Sequence, residues 1–186
     1  MEQINTATFA AISCIHSPYQ NESATDQMLS SLSNNSPTHF ILLGDLFDAG
    51  AVSVHPHEFE HALEDEYEKG AKYLIDIMNV IPDAKFIWTH GNHDDNILAK
   101  DPRRSPRGIR SLLSWNKHYE WGETFRQWKQ IPYTKSKDGV YKLGQVHFYH
   151  GFDAGANSDQ LETVQMANLM GGHAHQGLNN VSVPLK

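Results

Sequence analysis

At 186 residues, with 39% hydrophobic and 20% charged side chains, the chain has the size and composition of one globular domain, not of a disordered or fibrous protein. No apolar run approaches the about 18 residues of a membrane span, and the N-terminus lacks a signal peptide's basic segment, so a cytoplasmic protein with no membrane partner is expected. The net charge of −7 is uneven: residues 100–142 hold 11 of the 15 Lys+Arg against four acids, giving +7 there and −14 elsewhere.

The apolar stretch Phe9-Ala10-Ala11 predicts a first strand at about 8–14, ending in Ile12-Ser13-Cys14-Ile15-His16. After the loop Ser17-Pro18-Tyr19-Gln20, a helix is predicted from about Glu22 to Leu32, stopped by Asn34-Asn35-Ser36-Pro37. His39-Phe40-Ile41-Leu42-Leu43 reads as a second strand that delivers Gly44-Asp45-Leu46-Phe47-Asp48. Residues 56–81 read as a long amphipathic helix with Phe59, Leu63, Tyr67, Leu74, Ile75 and Met78 on one face. Its acids, Glu58, Glu60, Glu64, Asp65, Glu66 and Glu68, are assigned to the solvated face, and Gly70 is expected to weaken its middle.

A third strand, about 85–90, leads into Gly91-Asn92-His93-Asp94. A basic, aromatic insert follows at about 98–140, where Pro102, Pro106 and Pro132 punctuate two helical pieces and Trp121, Phe125 and Trp128 share a face. Such a segment in an acidic body is either a surface for phosphates and bases or a solvated cap whose tryptophans pack. Residues 140–146 look like a hairpin edge running into Val146-His147-Phe148-Tyr149-His150-Gly151. Asn157 can cap a short helix through Met166, and a strand near 168–171 leads to Gly172-His173-Ala174-His175. Alternating strands and helices predict an α/β domain spanning 1–186.

Carboxylate, amide and imidazole groups gathered at strand ends are the donors that a pair of divalent metals uses. Taken in order, these islands resemble the calcineurin-like metallophosphoesterases, whose pattern is D-x-H, G-D-x-x-D, G-N-H-D/E, H and G-H-x-H. The resemblance covers roughly residues 8–176, and four of the five motifs match at every defining position; Cys14 stands where the family places an aspartate.

The resemblance implies a two-sheet α/β sandwich with the metal site at a sheet edge. The chain ends eleven residues after His175, where the family continues with further strands, so a minimal or C-terminally truncated sandwich is expected. It implies that Asp45 bridges two metals, that Asn92, His150 and His173 complete one, and that His16 and His175 serve the other. His93 would be the general acid, oriented by Asp48. Cys14 either supplies a thiolate to zinc or iron, or fills a strand end and leaves its metal weakly held; the oxygen preference of manganese and magnesium favours the second. His39, His55, His57, His61, His90, His118 and His147 match no motif and read as surface or core histidines.

The expected activity is hydrolysis of a phosphoester by a metal-activated water, with two divalent ions as cofactors. Manganese is favoured, with zinc, iron, nickel and magnesium as alternatives. The basic insert, through Arg103, Arg104, Arg107 and Arg110, favours a nucleotide or nucleic-acid diester as substrate. Protein or small-molecule phosphomonoester hydrolysis is the alternative, made less favourable because Asp48-Ala49-Gly50 lacks the arginine of G-D-x-x-D-R-G. A scaffold with a defective metal site is the non-enzymatic alternative. Its support is Cys14, and retention of His93 and Asp48 speaks against it.

Overall fold

The computed structural model describes residues 7–53, 61–98, 121–152 and 169–172. Among these residues four strands form one parallel sheet in chain order: β1 (Phe9–Ile12), β2 (His39–Leu42), β3 (Lys85–Thr89) and β4 (Lys129–Ile131). A second sheet runs β5 (Tyr141–Leu143), β6 (Val146–Tyr149), β7 (Leu169–Gly171), with β5 antiparallel and β7 parallel to β6. The helices are α1 (Glu22–Asn35), α2 (Leu63–Val80), α3 (Asn92–Leu98) and α4 (Gly122–Gln127).

β2 explains the layering. Successive side chains of a strand point to opposite faces. Phe40 and Leu42 enter a core with Leu74 and Ile77 of α2 and Phe125 of α4, whereas Ile41 and Leu43 enter a second core with Ile87, Ile131 and Phe148. Both faces are covered, so the strand reads as a continuous apolar run rather than an alternating one. The order is helices, parallel sheet, second sheet, which is the sandwich that the resemblance implied. No helix among the described residues is long and apolar enough to cross a membrane.

Several expectations are corrected. The first strand stops at Ile12, so Cys14 and His16 sit in the loop beyond it. α1 runs one turn further than predicted, to a left-handed Ser36 just before Pro37. His61 and Ala62 are not helical, so α2 begins at Leu63, not at 56; residues 54–60, with Phe59, lie outside the described residues. Gly70 does not interrupt α2, because its bare Cα lies against the Phe47 ring and completes the helix-to-loop contact. Ile75 is exposed instead of core-facing, and the buried face carries Leu63, Glu66, Tyr67, Gly70, Leu74 and Ile77. Glu66, assigned to solvent from its charge, is only 2% exposed.

The tryptophans of the basic segment are partly resolved into their two alternatives. Trp128 is 2% exposed, packs on Phe40 and Phe86, and belongs to the helix-side core with Trp121 packed against it. Trp128 is therefore unavailable for stacking on a base. Trp115 and the predicted helical piece before residue 121 lie outside the described residues, as does the predicted helix at 157–166.

Candidate metal centre

The site forms where the loops after β1, β2 and β3 meet the end of β6. Backbone pairing continues past β1 and β2: Cys14 N–H donates to Gly44 O, His16 N–H to Asp45 O, Ser17 N–H to Leu46 O, and Asp48 N–H to Ser17 O. The two loops are thus zipped, and the price is local: Cys14, His16, Asp45 and Ala49 all sit at positive φ, between 48° and 57°. Non-glycine residues hold this conformation only where their surroundings enforce it, and such positions cluster at functional sites.

Two glycines permit the close approach. A Cβ on Gly91 would overlap the Asp45 carboxylate and come within 2.6 Å of the Asp45 nitrogen. A Cβ on Gly44, at φ +82°, would run into the His150 imidazole. Side chains at either position would push apart the two groups the site brings together.

Asp45 is the centre of the arrangement. Its Oδ1 accepts from the His93 backbone N–H at 3.0 Å, leaving Oδ2 3.1 Å from His150 Nε2 and 3.9 Å from His16 Nε2. On the His150 side, Asn92 Oδ1 lies 3.0 Å from the same Nε2. The other ring nitrogen, Nδ1, is 2.7 Å from the Leu43 carbonyl. A carbonyl only accepts, so Nδ1 carries a proton. In the neutral ring the Nε2 lone pair then faces two oxygen lone pairs. Three electron-rich atoms converging on one spot require a cation among them, either a proton on the ring or a metal.

On the His16 side the logic repeats. Nδ1 is 3.2 Å from Asp48 Oδ1 and Nε2 turns toward Asp45 Oδ2. Cys14 Sγ joins His16 and Asp45 in one group whose ligating atoms lie within 4.8 Å of one another, and its S–H contacts the Gly172 carbonyl at 3.4 Å.

The electrostatics agree. Burial works against a charged His16, yet Asp48, Cys14 and Asp45 outweigh it and push the ring up to about 10. His150 is likewise desolvated but raised by Asp45. Burial opposes ionisation of Asp45, and the His150 hydrogen bond and charge hold it below the usual carboxylate range nonetheless. Without another cation, the pocket recruits protons to both imidazoles. Carboxylate oxygen, amide oxygen and two imidazole nitrogens make a donor set that fits manganese, iron or zinc, with the thiol narrowing the His16 side toward softer ions.

His93 forms a second such ligand group with His16 and Asp48, their candidate ligating atoms within 4.8 Å of one another, but one of its ring nitrogens is committed to the main chain. Its Nδ1 donates to the backbone carbonyl of Asp48 at 2.6 Å, while the Asp48 carboxylate is 4.0 Å away and nearer to His16. The expected carboxylate–imidazole pair is therefore carried mainly by the main chain of Asp48. The rings of His16 and His93 meet edge to face at 4.6 Å.

A residue of the third island to which the motif reading gave no role holds this geometry. Asp94 is fully buried and accepts from the N–H groups of Asp45, Leu46, Phe47 and Gly91 and from the Trp88 indole. Burial and the adjacent Asp45 charge push its carboxyl up to about 7 against the pull of these donors. Its place inside Gly91-Asn92-His93-Asp94 is the signal that could have marked it. Tyr133, just beyond β4, was also missed; its ring lies 6.0 Å from that of His150 and 4.6 Å from Phe152, over which Lys135 places its ammonium at 5.7 Å.

The structure thus brings together Cys14, His16, Asp45, Asp48, Asn92, His93 and His150. His173 and His175, and the arginines Arg103, Arg104, Arg107 and Arg110, lie outside the described residues. Among the unassigned histidines, His90 is a core residue: burial lowers its ring to about 4, against a hydrogen bond with Gln130.

A family profile for the calcineurin-like phosphoesterases matches residues 7–176. The chain belongs to the calcineurin-like phosphoesterase family. Its members hydrolyse phosphoester bonds and typically use a dinuclear divalent metal centre, so this protein is a metallophosphoesterase and its substrate a phosphoester. No curated protein matches the chain.

Proposed function

We propose that this metallophosphoesterase cleaves phosphodiesters of a nucleotide or nucleic acid, with manganese as its working ion. The observation that carries the site assignment is the convergence of Asp45 Oδ2, Asn92 Oδ1 and His150 Nε2, with His150 Nδ1–H pinned on Leu43 O. Such a locked tautomer is the usual support of a metal-ligating imidazole. In this reading Asp45, Asn92, His150 and His173 would hold one ion and His16, Asp45 and His175 the other, with Cys14 in an aspartate's place leaving that second ion the more weakly held. Divalent ions bound there supply Lewis acidity, lowering the pKa of a water and neutralising charge on phosphoryl oxygens.

The chain's own residues do the rest. With Nδ1–H committed to the Asp48 carbonyl, the imidazolium form of His93 would carry its second proton on Nε2 and hand that proton to the departing oxygen, leaving the neutral Nδ1–H tautomer. Asp48 ties His16 into place through its carboxylate and His93 through its carbonyl.

The diester preference has two supports. Ala49, fully buried at φ +53°, occupies the place of the arginine in G-D-x-x-D-R-G, which speaks against a protein phosphatase. The described end of the basic segment places Tyr133 beside His150, and Lys135 over the neighbouring Phe152 ring. Arg103, Arg104, Arg107 and Arg110 are proposed as phosphate contacts on the charge of that segment alone.

Paired assays test the reading. With manganese added, bis(p-nitrophenyl) phosphate should be cleaved faster than p-nitrophenyl phosphate, and chelator should abolish both activities. His93→Ala should lower turnover about 10²- to 10⁴-fold with metal content retained. Faster monoester cleavage would overturn the diester preference. No cleavage with any divalent ion would favour the scaffold alternative.

A further inference from the structure

The buried carboxylate of Glu66 has no part in the scheme so far, yet it is one peptide unit away from the proposed proton donor. The Asp48–Ala49 peptide is engaged at both ends. Its carbonyl accepts from His93 Nδ1 at 2.6 Å, and its N–H, that of Ala49, donates to Glu66 Oε2 at 2.7 Å. The Gly50 N–H also points to this carboxylate, and the Ser17 hydroxyl donates to the Glu66 backbone carbonyl, fixing the start of α2 under the loop.

Two physical consequences follow. The C=O and N–H of a planar peptide are rigidly linked, so fixing the N–H direction fixes the carbonyl direction. A charged acceptor on the N–H also polarises the peptide, because hydrogen bonds in a chain strengthen one another in a low-dielectric interior. The carbonyl facing His93 becomes a better acceptor than a solvated one. The strained φ of +53° at Ala49 makes this external hold necessary, since a non-glycine residue does not keep that conformation unaided.

We propose that Glu66 is a positioning residue for His93, acting through the Asp48–Ala49 peptide to fix the imidazole's tautomer and orientation. A direct Asp–His pair places its charge on the ring; here the charge sits one peptide further back and the main chain transmits it. The inference rests on the proposed role of His93, and α2, a helix outside every motif, becomes part of the site.

Glu66→Gln tests it, since glutamine keeps the shape and one acceptor oxygen but removes the charge. Assays belong at pH 8, because burial pushes this carboxyl up to about 7. Turnover should fall about 10- to 100-fold, the usual cost of losing such a support, with KM, metal content and melting temperature little changed. The loss should be larger for an alkyl than for a p-nitrophenyl leaving group, because only the former needs the proton. In a His93→Ala background, Glu66→Gln should change turnover by no more than about twofold. Equal losses in both backgrounds would overturn the proposal and make Glu66 a purely structural residue.

A second readout needs no activity. In metal-free protein, ring ¹⁵N–¹H spectra should show His93 as the Nδ1–H tautomer, and Glu66→Gln should shift that resonance. An unmoved resonance would overturn the proposal even if hydrolysis is detected. Should the variant fail to fold, hydrogen exchange of the wild type decides: the Ala49 amide should be protected, and rapid exchange would sink the idea. Absence of hydrolysis by the wild type would remove the proposed function while leaving the spectroscopic test intact.

Discussion

The two halves of the site are built to different standards. Around His150 the described donors are the more firmly held: His150 and Asp45 are buried and Asn92 half-buried, with Nδ1 on the Leu43 carbonyl, Asp45 on the His93 amide, and the Asp45 backbone on Asp94. Around His16 the groups are only partly buried, the Asp45 distance lengthens to 3.9 Å, and Cys14 turns its sulfur toward a carbonyl. One half presents oxygen and nitrogen donors in fixed positions, and the other offers a thiol where an oxygen is expected. Preorganised donors bind without first ordering their side chains. The His150 half should therefore be the tighter cation site.

The comparison can be broken most severely at its support. Asp94→Ala would orphan four buried backbone N–H groups and an indole, each costing about 1–3 kcal/mol, so a stability loss of at least about 4 kcal/mol is expected in urea unfolding. A loss under about 1 kcal/mol would mean that water replaces the carboxylate and the half is less rigid than described.

Next in size is a contrast between ligands. His150→Ala should weaken manganese affinity by more than about 100-fold, beyond what loss of a supporting group alone costs. His16→Ala should affect the tightest ion far less. Equal effects in calorimetric titrations would erase the difference between the halves.

Cys14 sharpens the comparison from the weak side. Cys14→Asp should raise manganese-dependent turnover, and Cys14→Ala should change it little. Loss of zinc or of activity in Cys14→Ala would instead make the thiolate a true ligand and this half a soft-metal site.

The smallest effect concerns the helix beneath the site. Glu66 has its folded pKa raised from the 4.5 of a free carboxyl to about 7, so the folded protein holds this proton more tightly than the unfolded chain. Its contribution to stability is fully present below about pH 4.5 and is lost as pH rises through about 7. The melting temperature of the wild type relative to Glu66→Gln should fall across that window. A difference independent of pH would show that Glu66 keeps an ordinary pKa.

Much of this was legible in the chain. The apolar run of β2 reads as a strand because both its faces are buried, and the glycines that follow the strands announce sharp turns onto shared side chains. Glu66 was misread because an acid on a helix is solvated by default. Its spacing, three after Leu63 and four before Gly70, put it on the apolar face, but its partner is a loop amide that no side-chain pattern encodes. The His93 contact eluded the motif for the same reason: the motif names the Asp48 carboxylate, whereas the acceptor is the Asp48 carbonyl, set by a left-handed turn. Trp128 was ambiguous because a tryptophan at helical spacing serves a core and a stacking surface equally well, and only packing on Phe40 and Phe86 decides between them.

Manganese titration of metal-free protein, followed by calorimetry and by the paramagnetic resonance of the free ion, tests the central claim most directly. One ion should bind tightly and a second distinctly more weakly, with Asn92→Ala removing the tight step and Cys14→Asp strengthening the weak one. Two ions bound with equal affinity, or a tight step that survives Asn92→Ala, would contradict it.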